Sequence, residues 1–194
     1  MSTNYQIKKR GRPKSEKVSL NKANIIENAK EVLFKEKKGL SIRKLASRLS
    51  VDPMAIYHYF NNKDDLLEAV CMSYISRIYR PKVADNWQRE VKRLIISYIE
   101  ILRDTPALIE TLVSLGRISK GPSVFFEQQF AIATSSLLTK SQLRSAIPLL
   151  ADFMHGFALG LKYVPENMTK EYFKGLHRSL NLYIVTIESI IKNN

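Results

Sequence analysis

The side chains most able to do chemistry are scattered along the chain of 194 residues. The three histidines stand far apart, at positions 58, 155 and 177, and the single cysteine, Cys71, has no evident partner base. A catalytic nucleophile needs a base beside it, and a zinc site needs three or four suitably spaced ligands. No glycine-rich phosphate loop occurs either. The sequence therefore predicts no enzyme, no metal site and no cofactor.

A different chemistry is concentrated in the short stretch from Asp52 to Phe60. Asp followed by Pro is typical of an N-cap and the first helical position, so a helix is expected to begin at Pro53 and to run to about Phe60. Small and hydrogen-bonding side chains on such a helix suit the edges of DNA bases, provided that apolar residues support the helix from behind. The outward candidates are Ala55, Tyr57, His58 and Tyr59, and the anchors are Ile56 and Phe60.

The flanking sequence predicts the helices that hold this stretch in place. A first helix follows the N-cap Asn21 and ends at Gly39, and Ser41 caps a short second helix. Asn62 caps a fourth helix that is expected to run to about Tyr79. Two short helices joined by a tight turn form the helix-turn-helix pattern, whose second helix enters the major groove.

The charge of the chain favours a polyanionic partner. Lys and Arg number 31 against 18 acids, a net charge of +13, and residues 1–80 hold 17 of those bases against 8 acids. Residues 1–19 are polar, basic and aperiodic, which predicts a flexible arm. Its R-G-R-P core resembles the AT-hook, in which side chains such as Arg10 and Arg12 enter the minor groove of A·T-rich DNA. The alternative is a solvated basic tail that adds non-specific attraction.

The rest of the chain is helical in pattern and predicts an all-α protein. Helices are expected near residues 86–103, 106–115, 123–138, 145–164 and 169–191, and no alternating strand pattern competes. The lone cysteine suits a reducing compartment, and neither an apolar leader nor an apolar run of about 18 residues occurs. A cytoplasmic protein without a membrane partner is therefore expected.

Residues 20–70 resemble the DNA-binding domain of the TetR family of bacterial transcriptional regulators. The most specific run is Y-x-Y-F followed by N-K-x-x-L-L, made here by Tyr57, Tyr59, Phe60, Asn62, Lys63, Leu66 and Leu67. The resemblance implies a three-helix helix-turn-helix domain over 20–80, with the motif itself at about 41–60. It also implies a helical ligand-binding and dimerisation domain over 81–194.

The resemblance further implies roles for individual residues at the DNA. Phosphate contacts fall on Ser41, Arg43, Tyr57 and Lys63, and base contacts on Pro53, Met54, Ala55 and His58. Pro53 departs from the polar side chain that relatives often carry there, which leaves open which bases are read. The alternatives are that Ser41 is a helix cap alone, that Arg43 and Lys63 are solvated charges, and that Tyr57 is a packing residue.

In the C-terminal part, several short runs resemble the tetracycline-repressor branch: Trp87, Pro106, Leu115-Gly116 and residues 157–160. The positions where that branch places metal-binding and drug-binding histidines fall on Tyr79 and Ser114. Sensing of a magnesium-tetracycline complex is therefore not supported.

Two apolar stripes on the last two helices are expected to form the four-helix dimer interface that the family uses. The alternative is that each stripe faces the core of its own chain. The interface candidates are Phe153, Gly156, Phe157, Gly160, Leu180, Tyr183, Ile184, Ile187 and Ile191. The candidates for a ligand pocket are Trp87, Tyr98, Phe126, Phe130, Met154 and Tyr163.

These features together predict a ligand-responsive transcriptional regulator. We expect a homodimeric repressor that binds a palindromic operator in double-stranded DNA and is released by a small-molecule effector of unknown identity. The alternative is an architectural protein that binds A·T-rich DNA without a ligand.

Overall fold

The computed structural model describes residues 20–35, 39–116 and 120–192, and helices account for all regular structure within these ranges. The all-α prediction is confirmed. A short 3-10 helix, Glu166–Met168, precedes the last α-helix. The described α-helices are α1 (Lys22–Lys35), α2 (Ile42–Leu49), α3 (Pro53–Tyr57), α4 (Lys63–Ile75), α5 (Trp87–Asp104), α6 (Ala107–Leu115), α7 (Gly121–Ala133), α8 (Lys140–Leu161) and α9 (Thr169–Lys192).

The first four helices begin at the predicted N-caps. The Asn21 side chain accepts a hydrogen bond from the backbone N–H of Asn24 at 2.9 Å. Ser41, Asp52 and Asn62 cap α2, α3 and α4 in the same way, each accepting from a backbone N–H in the first turn. These caps satisfy donors that would otherwise lack an intrahelical partner, and they fix where each helix starts.

The turn between α2 and α3 closes through a left-handed residue. Ser50 has φ of 55°, and the backbone N–H of Val51 donates to the Ala46 carbonyl at 3.0 Å. This geometry ends α2 at Leu49, three residues before Asp52, the N-cap of the next helix. Helix α3 stops at Tyr57 rather than near Phe60, because the N–H groups of Tyr59 and Phe60 both donate to the Ile56 carbonyl and turn the chain inward.

Buried side chains form two hydrophobic cores that meet within α4. The N-terminal core includes Leu66 and Val70 of α4, and the C-terminal core includes Cys71 and Ile75 of the same helix. The predicted division near residue 80 lies beyond this meeting point. Helix α4 is therefore packed into both parts of the molecule.

Three helix boundaries between residues 75 and 140 differ from those predicted: the ends of α4 and α7 and the start of α8. Helix α4 ends at Ile75 rather than near Tyr79, whose backbone N–H instead donates to the Ser97 hydroxyl at 2.8 Å. Helix α7 ends at Ala133, because the positive φ angles of Ser135 and Ser136 break it before Leu138. Helix α8 begins five residues before the predicted Ser145. A capping box between Thr139 and Gln142 starts it there.

Among the described helices, none combines the length and hydropathy that a membrane span requires.

Candidate nucleic-acid interface and interior cavity

Helix α3 presents one face to solvent and the other to the N-terminal core. Met54 is 64% exposed, and Tyr57 and His58 also point outward. Ile56 is fully buried and Phe60 nearly so, as anchors must be. A short helix fixed from behind, with small, apolar and hydrogen-bonding groups in front, has the shape that the major groove admits.

Tyr59 differs from the other aromatic residues of this segment. Its side chain is half-buried, and its hydroxyl donates a 2.7 Å hydrogen bond to the Leu20 carbonyl. The predicted DNA contact at Tyr59 does not match this placement, because the hydroxyl is engaged within the protein. The bond joins the end of the α3 segment to the start of the described chain, 39 residues away.

Polar and basic side chains also stand at the starts of α2 and α4, the helices on either side of α3 in the chain. Arg43 is exposed in the first turn of α2, next to the half-buried cap Ser41, and Lys63 is exposed at the first position of α4. Helix N-termini attract phosphate groups through free N–H groups and the helix dipole, and a cation beside them adds to that attraction. Arg10 and Arg12, the predicted minor-groove residues, lie outside the described residues.

A pocket of about 80 Å³, called the interior cavity below, opens between exposed Gly116 and Ser123 into the C-terminal core, where α4, α5, α6, α7 and α8 converge. It brings together three of the predicted pocket residues, Tyr98, Phe126 and Met154. Trp87 and Phe130 are buried in the same core but do not line the cavity. Tyr163 was expected in the pocket, yet it is 86% exposed, because α8 ends at Leu161 and leaves it on the surface.

A hydrogen-bonded pair forms the polar part of the cavity wall. The Tyr98 hydroxyl lies 2.8 Å from Nε2 of His155, which sequence reasoning did not select. Burial raises the pKa of the Tyr98 hydroxyl and lowers the pKa of His155, so both groups are neutral near pH 7. The two residues are 57 positions apart, and no local pattern signals their contact.

The predicted dimer stripes lie largely against the core of their own chain. Leu180, Ile184 and Ile187 are buried there, with Ile187 only 1% exposed. The Tyr183 hydroxyl donates to the Ala146 carbonyl of α8 at 3.1 Å, which fixes this face of α9 toward α8. The interface assignment of these residues is therefore corrected. Partly buried against the same core are Phe153, Phe157, Tyr183 and Ile191.

A different face of α8 and α9 remains open. Leu149 and Gly156 are exposed on α8, and Leu182 and Val185 are exposed on α9. Residues three or seven positions apart share one side of a helix, so Leu149 and Gly156 share one side of α8, and Leu182 and Val185 share one side of α9. Gly160, the last interface candidate, is half-buried beside the Tyr172 hydroxyl.

Tyr79 and Ser114 stand where the resemblance places histidines of the tetracycline-repressor branch, and they lie in different surroundings. The Tyr79 hydroxyl donates a 2.9 Å hydrogen bond to Glu90, and Ser114 is exposed. Within the described part of the chain, no group of three or more His, Cys, Asp or Glu side chains could hold a metal ion.

The fold and the outward face of α3 define a helix-turn-helix DNA-binding protein with a helical C-terminal domain. Residues 25–70 match the family model for bacterial regulatory proteins of the tetR family. Over these residues the chain is therefore similar to the DNA-binding domain of that family of regulators.

Solved structures of similar fold extend the likeness beyond the DNA-binding domain. A BioQ structure with its natural double-stranded DNA operator is 18% identical, with a TM-score of 0.66, and the match covers 84% of this chain and 98% of that one. ActR of Streptomyces coelicolor, in complex with actinorhodin, is 18% identical, with coverage of 89% and 99% and a TM-score of 0.72. A single-residue variant of TetR from Acinetobacter baumannii AYE, in complex with minocycline, is 21% identical, with the same coverage and TM-score. No curated protein matches the chain significantly.

Proposed function

We propose that the protein is a homodimeric repressor that binds a palindromic operator and leaves it when a small molecule enters the interior cavity. One observation carries this proposal: α4 joins the two sites. Lys63 begins α4 three residues after Phe60, the buried anchor that follows α3, and Ile75 ends α4 in the cavity wall. A ligand that displaces Ile75 therefore acts on the helix that packs against the rest of residues 20–70, the proposed DNA-reading module.

A second contact supports coupling between the cavity and α4. Gly121 starts α7, and a side chain at this position would meet the carboxylate of Glu68 on α4. The next two residues, Pro122 and Ser123, line the cavity. Movement of α7 on ligand entry would thus reach α4 through Glu68 as well as through Ile75.

The open face of α8 and α9 is the proposed dimer surface. Leu149, Leu182 and Val185 are large apolar side chains left in water, and Gly156 allows close helix approach. A second copy would cover these groups and would hold two α3 helices about one DNA turn apart, as a palindrome requires. The C-terminal ligand-binding and dimerisation role assigned to residues 81–194 is part of this proposal.

The DNA contacts complete the proposal. Met54, Ala55 and His58 read base edges, with Pro53 at the start of the helix. Ser41, Arg43, Tyr57 and Lys63 hold phosphates and fix the register, since phosphate contacts carry no sequence information. The roles of Arg10 and Arg12 in an adjacent minor groove remain a prediction from the sequence.

Selection from random duplexes, followed by footprinting and sedimentation, tests the function. We expect one short palindrome protected by a dimer. A ligand found by thermal-shift screening should lower operator affinity, and the operator should lower ligand affinity by the same factor. Diffuse coverage of A·T-rich DNA with no ligand would instead support the architectural alternative.

A further inference from the structure

The described lining of the interior cavity carries no charged side chain. Its residues are aliphatic, aromatic or uncharged polar, and Asp, Glu, Lys and Arg are absent among those described. A charged ligand would lose its hydration there without gaining an ion-pair partner, which is strongly unfavourable. The cavity therefore selects against ionised molecules.

Hydrogen bonding inside the cavity is limited to one place. Ser123 is exposed at the rim, whereas Tyr98 is buried and bonded to His155. A phenol oxygen can take part in more than one hydrogen bond, so Tyr98 retains a position for a ligand after bonding to the imidazole. A ligand with one hydroxyl or carbonyl group would satisfy that position.

The size and the aromatic lining restrict the rest of the ligand. A volume of about 80 Å³ is well below the roughly 300–1,000 Å³ of common small-molecule pockets. The Tyr98 and Phe126 rings meet edge to face, with centroids 5.2 Å apart, and offer a surface to a further ring. Met154 is the flexible wall that can yield to a ligand.

We propose that the effector is a small uncharged molecule, no larger than about one ring, whose single polar group bonds to the Tyr98–His155 pair. This inference rests on the proposed ligand-released repressor. It deepens that proposal by naming the chemistry that the cavity accepts.

Three probes of similar size test the inference on the wild-type protein. Phenol has a ring and a hydroxyl, toluene has the same shape without a polar group, and benzoate carries a charge. Calorimetric titration should give affinities in the order phenol, then toluene, with benzoate undetectable. Benzoate binding as tightly as phenol, or no binding of any probe, would overturn the inference.

Tyr98→Phe then assigns the polar contact. It should lower phenol affinity by about tenfold and leave toluene affinity unchanged, because one hydrogen bond is lost and the ring is kept. Tyr163→Phe makes the same chemical change on the surface and should alter neither affinity. An equal loss for phenol and toluene in Tyr98→Phe would contradict the assignment. If Tyr98→Phe does not fold, the order of phenol, toluene and benzoate affinities for the wild-type protein still tests the inference.

Filling the cavity gives a second test. Ala151 lines it, and Ala151→Leu should abolish binding of phenol and toluene while circular dichroism shows the helical fold retained. Retained binding by this folded variant would place the probes elsewhere and overturn the inference.

Titration of the selected operator separates this inference from the proposed function. If phenol binds in the expected pattern but operator affinity does not change, the ligand class stands and the release mechanism fails. If a large or charged compound releases the operator while the small neutral probe does not bind, release stands and the ligand class is wrong.

Discussion

Residues 20–70, which we propose read DNA (the reading module), and residues 71–192, which we propose sense a ligand (the sensing half), differ in their helical packing. The reading module is built from short capped helices, down to the five residues of α3, around fully buried side chains such as Ile56. The sensing half uses helices of up to 24 residues and leaves a cavity where five of them converge. Base reading requires side chains held in fixed positions, whereas ligand sensing requires space and a wall that can move.

Helix α4 is where these two requirements meet. Its first half packs into the reading module through Leu66 and Val70, and its second half packs into the sensing half through Cys71 and Ile75. The contrast between the two regions therefore predicts different consequences for substitutions in each.

The largest effect is expected on α9, where the sequence pattern predicts a dimer surface and the structure shows a core. Ile187→Glu should unfold the chain, with a loss above about 4 kcal/mol, because it places a charge in a closed core. Val185→Glu, two positions away and 61% exposed, should keep the monomer fold and abolish the dimer. Urea denaturation and sedimentation measure the two outcomes.

Val124→Glu is the matched control, since Val124 is exposed on α7 away from the proposed surface. It should leave both the fold and the dimer intact. A dimeric Val185→Glu variant with normal operator binding would show that the interface lies elsewhere.

Ile187 and Val185 on α9 also show what the sequence can and cannot predict. Spacing of three and four correctly places Leu180, Ile184 and Ile187 on one side of α9. Spacing does not state which partner covers that side, because a core and an interface demand the same apolar residues. Only the tertiary packing of α9 against its own chain decides it.

The reading module was more predictable because its signals are local. The caps Asp52 and Asn62 act on N–H groups two or three residues away, so the sequence contains both partners. The hydrogen bond made by Tyr59 and the cavity position of His155 could not be predicted, for the opposite reason. Their partners, Leu20 and Tyr98, lie 39 and 57 residues distant along the chain.

Substitutions on the outward face of α3 and at the start of α4 should have the next largest effect, on DNA binding. His58→Ala should reduce discrimination at one base pair in each half-site by about 1–3 kcal/mol, because in the proposed complex it removes a hydrogen-bonding group from the base edges. Lys63→Ala should weaken all sequences alike and reduce the salt dependence by about one unit. Competition titrations with single-base operator variants measure both. Equal, sequence-independent losses in the two variants would remove His58 from the base-reading set.

A smaller effect is expected at the buried carboxylate that orders the segment after α4. Glu90 accepts hydrogen bonds from the Lys82 backbone N–H and the Tyr79 hydroxyl, both at 2.9 Å. Glu90→Gln keeps the shape but removes the charge, and should cost about 1–2 kcal/mol at pH 7. Glu110→Gln is the control, because its pair with Lys162 is exposed and should be worth less than about 1 kcal/mol.

The contribution of Glu90 to the free energy of unfolding should also depend on pH. The Lys82 N–H, followed by the Tyr79 hydroxyl and Arg93, lowers the pKa of Glu90 in the folded protein. The stabilisation is therefore fully present above the unfolded pKa of about 4.3 and is lost as the pH falls through the lower folded value. The stability difference between wild type and Glu90→Gln should shrink in acid. A difference that stays constant from pH 7 into that range would exclude an ionic contribution.

The smallest effects are expected at two left-handed backbone positions of the reading module. Ser50, at the turn before α3, has φ of 55°, and Gly39, before α2, has φ of 78°. Gly39→Ala meets no neighbouring atom, so its cost is backbone strain alone, about 1 kcal/mol. Ser50→Gly relieves the same strain but loosens the unfolded chain, for a net gain of about 0.5 kcal/mol. Urea denaturation should show opposite signs for the two changes, while operator discrimination stays at the wild-type value because α3 keeps its anchors. Altered discrimination in Ser50→Gly would mean that this turn, and not Ile56 and Phe60 alone, sets the angle of the reading helix.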